Sequence, residues 1–70
     1  MKEYIVNMMW DREAAVWIAA CDDIPLALES GSFDALVERV KVAVPEMLEI
    51  NGKDTKCVLR FVAERCDNVA

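Results

Sequence analysis

Phe33-Asp34-Ala35-Leu36-Val37-Glu38-Arg39-Val40-Lys41-Val42-Ala43-Val44-Pro45-Glu46-Met47-Leu48 is the stretch in which the hydrophobic period of the chain changes. Phe33, Leu36, Val37, Val40, Val44, Met47 and Leu48 recur at steps of three and four, which puts them on one face of a helix. Glu38, Arg39, Lys41 and Glu46 lie mostly off that stripe. Ser32 stands where an N-cap belongs, and Asp34 places a negative charge in the first turn, where the helix dipole favours it. Asn51-Gly52 is a C-terminal stop. Pro45 removes one backbone donor and crowds the preceding turn. The apolar stripe continues beyond it, so the expectation is a kinked helix, or a break with Pro45 opening a last short helix.

On either side of this helix the period is two. Tyr4 to Trp10 is rich in β-branched and aromatic residues and reads as a first strand. One face carries Tyr4, Val6, Met8 and Trp10, and the other Ile5, Asn7 and Met9. Asp11-Arg12-Glu13-Ala14 suits a hairpin connection. Ala15 to Cys21 is a second strand, with Trp17 on one face and Val16 and Ile18 on the other. Asp22-Asp23-Ile24-Pro25 breaks the chain, and Pro25 biases Ile24 toward an extended conformation. Leu26 to Glu29 fits a short third strand, although its Ala and Leu content suits a helix equally well. After the helix, Thr55 to Glu64 alternates, with Cys57, Leu59, Phe61 and Ala63 on one side and Arg60 and Glu64 on the other. Residues from Arg65 onward form a tail. The order is β-β-β-α-β in one domain over residues 1–70. The expected fold is α+β, an antiparallel sheet with one helix packed on one face.

A chain of 70 residues has room for a single thin core. Its 56% hydrophobic content argues against disorder. Thirteen acids against eight bases give a net charge of −5, which argues against direct binding of duplex DNA. Both faces of the first two strands are largely apolar, whereas a solvated sheet face should alternate with polar residues. One helix covers one face. Self-association, as a homodimer or a larger oligomer, is the expected way to bury the surplus.

Glu3 and Asn7 interrupt the apolar run at the N-terminus, and no stretch approaches the ~20 apolar residues of a membrane span. The expected location is the cytoplasm, with no membrane partner. Cys21, Cys57 and Cys66 form no C-x-x-C pair, and the chain has no histidine. Reduced, mostly buried thiols are expected, with no zinc, no cofactor and no nucleophilic cysteine.

The candidate interface residues fall into two groups. Asp11, Glu13, Asp22 and Asp23 lie in the two connections. Their position in turns rather than on strands inside a cleft speaks against a metal pair. They read as solvated turn residues, or as an acidic rim that steers a basic partner. Trp10 and Trp17 flank the first hairpin. They read as core or dimer packing, or as anchors for a partner. Lys53, Lys56, Arg60 and Arg65 are the one basic cluster, and pairing with neighbouring acids is the expected use of their charges.

The hairpin, the Asp23-Ile24-Pro25 step, the Ser30-Gly31-Ser32 turn and the opening Phe33-Asp34-Ala35-Leu36 together resemble the HicB-like antitoxin superfamily of prokaryotes. Val37 to Leu48 followed by Asn51-Gly52 is similar in particular to its short stand-alone branch, catalogued as a domain of unknown function. The likeness covers nearly the whole chain and rests on structural motifs. It implies a partial ribonuclease-H-like domain without catalytic activity that masks a small basic ribonuclease toxin. The DNA-binding segment that many such antitoxins carry is not expected here, so no direct DNA binding is expected. The alternative is a stand-alone structural or regulatory dimer without a toxin partner.

Overall fold

The computed structural model describes residues 1–69. Its elements run β1 (Lys2–Asp11), β2 (Val16–Cys21), β3 (Leu26–Ser30), α1 (Phe33–Ile50) and β4 (Cys57–Glu64). Leu36, Val40, Val44 and Leu48 are the residues that α1 buries, each one helical step of four from the next. They meet Tyr4, Val6 and Met8 of β1, Ala19 and Cys21 of β2, and Ile24 and Leu26 at the entry to β3. Each fully buried Leu or Val contributes roughly 1.5–3 kcal/mol relative to exposure, so this single layer accounts for most of the stabilisation available.

Both ends of α1 are closed by the residues that the sequence nominates. The Ser32 hydroxyl accepts from the Ala35 amide at 3.2 Å. At the other end Lys53 N donates to Leu48 O and Gly52 N to Glu49 O, the paired pattern of a Schellman stop. Gly52 has φ +68°, a conformation that glycine adopts without Cβ strain. Pro45 neither splits the helix nor ends it, and α1 continues unbroken to Ile50. The carbonyl deprived of its donor is that of Lys41, an exposed residue, where water can replace the lost bond.

The four strands form one sheet in the order β3-β2-β1-β4. It is mixed where an antiparallel sheet is expected from the sequence. β1 pairs antiparallel with β2, and β2 with β3, but β4 lies parallel to β1. Connectivity explains this. β1 and β3 point the same way because both oppose β2. α1 then returns the chain along the sheet, so β4 sets off in the direction of β3 and therefore of β1. Parallel neighbours need a long crossover, and α1 supplies it. The cysteines differ from expectation too: Cys21 is buried, Cys57 half-buried and Cys66 exposed, all as free thiols. Among the described residues, no helix is long and apolar enough to cross a membrane.

Candidate binding surface

α1 covers one face of the sheet and leaves the other open. The alternation that buries Tyr4, Val6 and Met8 turns Ile5, Asn7 and Met9 outward. The register then assembles this outer face row by row. Glu29, Ile18, Met9 and Glu64 cross the four strands in one row, and Ala27, Ala20, Asn7 and Val62 in the next. Ile5 beside Arg60 and Glu3 beside Val58 complete it. Its apolar floor is strongly exposed: Ile5 48%, Met9 51%, Val58 47% and Val62 46%. Exposed apolar residues gathered on three neighbouring strands, with Asn7 and Arg60 among them, are unusual for a surface that meets only water.

Charge is arranged around that floor. Arg60 is the basic residue of these rows, and its Nε lies 3.1 Å from the Glu3 carboxylate of the neighbouring strand. Glu29 and Glu64 lie at the two ends of the row through Met9. The turn acids extend both ends of the sheet. Asp22 and Asp23 follow Cys21, whose cross-strand partner is Val6, so they sit near the start of β1. Glu13 lies in the hairpin at the opposite end of β2. That strand has six residues, roughly 20 Å at about 3.3 Å per residue. The four turn acids therefore form two acidic ends, not one rim. Asp11 is committed to the turn itself: its carboxylate accepts from the amides of Glu13 at 3.0 Å and Ala14 at 3.3 Å.

The two tryptophans lie on the helix side. Trp10 and Trp17 are direct cross-strand partners with ring centroids 5.4 Å apart. The Phe33 ring meets Trp17 edge-on at 4.9 Å. The Arg65 guanidinium lies over Trp10 at 4.1 Å, and its Nε also reaches the Asp67 carboxylate at 2.8 Å. Sequence reasoning places Arg65 in a tail and misses this stack. Parallel pairing of β4 with β1 makes it, because Met9 faces Glu64, and the residues that follow are Trp10 in β1 and Arg65 just beyond β4. An open depression of about 420 Å³ beside the stack is lined by Trp10, Arg12, Glu64, Arg65 and Asn68 among others. Among the described residues, no three of His, Cys, Asp and Glu gather as a metal site.

The residues nominated from sequence thus go to three places: Trp10 and Trp17 to the helix side, Asp11 and Glu13 to the hairpin, and Asp22 and Asp23 to the far turn. The open floor of Ile5, Met9, Ile18, Val58 and Val62 is the surface that the nomination overlooks. Its signal is present in the sequence as the apolar residues on the second face of β1 and β4.

No curated protein matches the chain. A solved structure does: the crystal structure of hypothetical protein TTHA1013 from the extremely thermophilic bacterium Thermus thermophilus is 38% identical, with a TM-score of 0.81. The match covers 97% of this chain and 100% of that one, so strand order and helix placement are shared over the full domain. The family model described as Domain of unknown function (DUF1902) matches residues 3–69. With nearly every residue inside that match, the chain belongs to the DUF1902 family.

Proposed function

We propose that this chain is a non-catalytic, self-associating binding module of the HicB-like antitoxin type, acting in the cytoplasm, whose open sheet face receives a small basic protein such as a ribonuclease toxin. One observation carries the reading: the open face is an apolar floor with acidic ends. The floor, Ile5, Met9, Ile18, Val58 and Val62, calls for a protein surface, because burying apolar area is what makes such a contact favourable. The ends set the sign of the partner. Glu29, Glu64, Asp22 and Asp23 raise a negative field, while the charge of Arg60 is offset by Glu3. A basic protein is drawn to such a surface faster than a neutral one, and the effect weakens with salt. The net charge of −5 acts in the same direction.

The alternative, a structural or regulatory dimer without a toxin partner, draws on the apolar floor alone. Gene neighbourhood and a direct binding measurement separate the two. An adjacent reading frame encoding a small basic protein with a conspicuous histidine supplies the partner to test. Mixed with the purified chain, that protein is expected to form a stable complex and to lose ribonuclease activity. Reversing Asp22, Asp23 and Glu29 together is expected to lower the association rate and flatten its salt dependence. No complex, or an association rate indifferent to the reversal, overturns the proposal in favour of the alternative.

A further inference from the structure

The two edges of the sheet are finished differently. β3 is five residues long, and the carbonyl of Glu29 is taken by the Arg39 guanidinium of α1 at 2.7 Å. It is a short edge with a side-chain cap, one of the ways proteins blunt an exposed strand. β4 has eight residues, and among the described residues no side chain caps its backbone. It contains no proline or lysine. Its inner face is only partly covered: Cys57, Leu59 and Phe61 pack against the margin of the core and stay half-buried. Leu59 and Phe61 consequently line an open groove of about 310 Å³ beside Lys41 and Pro45. Val58 and Val62 are exposed on the outer face. β4 therefore offers a free hydrogen-bonding edge with apolar side chains on both faces.

We infer that β4 is the self-association edge: it pairs antiparallel with β4 of a second copy, in the register that sets Val62 opposite Val62 of that copy. This rests on the reading that the chain self-associates, and it names where and how. The register follows from charge. Two copies related by a twofold axis normal to the sheet must place one residue opposite itself. Centring on Arg60 opposes two like charges, which destabilises a cross-strand pair. Centring on Val58 sets Arg60 against Lys56. Centring on Leu59 or Phe61 sets Arg60 against valine. Centring on Val62 sets Arg60 opposite Glu64 of the second copy, twice by symmetry. The same register pairs Phe61 with Ala63 on the inner face, also twice. The segment Arg60-Phe61-Val62-Ala63-Glu64 is thus self-complementary in charge and apolar character. Joining the edges also makes the two open faces one continuous surface, which leaves the floor available to another protein.

Cysteine cross-linking tests the register directly. In a Cys57→Ser/Cys66→Ser background, with Cys21 buried, Val62→Cys is expected to oxidise to a covalent dimer. Directly opposed residues have Cα atoms about 4.5–5.5 Å apart, inside the ~4.4–6.8 Å range of disulfides. Arg60→Cys alone is expected to remain uncross-linked, because position 60 faces 64 and lies four residues from its own counterpart, about 13 Å at ~3.3 Å per residue. Mixing Arg60→Cys with Glu64→Cys is expected to restore the cross-link. In sedimentation, Arg60→Glu and Glu64→Arg should each weaken the dimer roughly tenfold, and the double variant should recover it. Far-UV circular dichroism establishes that each variant is folded. A dimer in sedimentation without a Val62→Cys cross-link overturns the edge and leaves self-association standing. A 7.9 kDa monomer at every concentration overturns both.

Discussion

Trp10 and Trp17 face one another across the β1–β2 pair with ring centroids 5.4 Å apart, and between Arg65 and Phe33 they form a continuous stack along one end of the sheet. The stack joins pieces distant in sequence: the hairpin, the first residue of α1 and the segment just after β4. Through Trp17 and Phe33 it packs against the core cluster that the helix stripe from Leu36 to Leu48 helps form.

Trp17 is the centre of this stack, touching both Trp10 and Phe33, so Trp17→Ala should cost more than Trp10→Ala. A fully buried aromatic costs about 3–5 kcal/mol on truncation, and Trp17 is half-buried. The expected losses are about 2–3 kcal/mol for Trp17→Ala and about 1–2 kcal/mol for Trp10→Ala. Urea unfolding of each variant measures them. Equal losses would mean that the contact of Trp17 with Phe33 contributes no more than that of Trp10 with Arg65.

Arg65 acts on the same stack through the face of Trp10. A partly exposed cation–π contact contributes about 0.5–1 kcal/mol, so Arg65→Ala should lower stability by that amount and raise solvent access to the Trp10 ring. Tryptophan fluorescence should shift to the red and be quenched more strongly by iodide. Asp67→Ala should change far less, because the Arg65–Asp67 pair is exposed and such pairs contribute little.

The helix and its caps were legible because they are local: Ser32, the stripe through Val40 and Val44, and Asn51-Gly52 each act within a few residues of themselves. The strands were legible for the same reason. The direction of β4 was not, since it depends on how many reversals precede it and on which strand it joins. Once β4 is parallel to β1, three things follow that no local pattern contains: Arg65 beside Trp10, Arg60 beside Glu3, and Val58 and Val62 added to the open floor. The acidic residues illustrate the converse. Asp11 and Asp22 look equivalent in sequence, yet one is consumed by two turn amides while the other lies in the turn at the far end of β2.

Pro45 lies inside a continuous helix, so its replacement by alanine should stabilise the protein. Alanine returns an amide donor to the Lys41 carbonyl and removes the ring's crowding of the preceding turn. The interior penalty of proline is about 3 kcal/mol, and a gain of about 1–3 kcal/mol is expected after relaxation around this half-buried site. The caps should respond oppositely. Ser32→Ala should cost about 1 kcal/mol by orphaning the Ala35 amide. Gly52→Ala should cost about 1–2 kcal/mol through its positive φ alone, since among the described residues nothing beyond its chain neighbours lies within 4 Å of an added Cβ. Thermal unfolding ranks all three, and a destabilised Pro45→Ala would show that the ring's packing outweighs the missing hydrogen bond.

Met9 tests the open floor separately from the fold. It is half-exposed, flanked by Ile18 and Glu64, and lies outside the cluster that α1 buries. Met9→Lys should therefore change stability by less than about 0.5 kcal/mol, as surface substitutions away from the core do. Met8→Lys, one residue away and fully buried, should prevent folding, because an unpaired charge would enter the core. On the open floor the added lysine acts on binding alone: it interrupts the apolar surface and opposes a basic partner with like charge. Affinity for such a partner should fall at least as much as stability is spared, and Met9→Glu should weaken it less than Met9→Lys does. Paired unfolding and binding measurements on the two Met9 variants separate apolar contact from charge, because glutamate and lysine disrupt the floor alike but change its field in opposite directions.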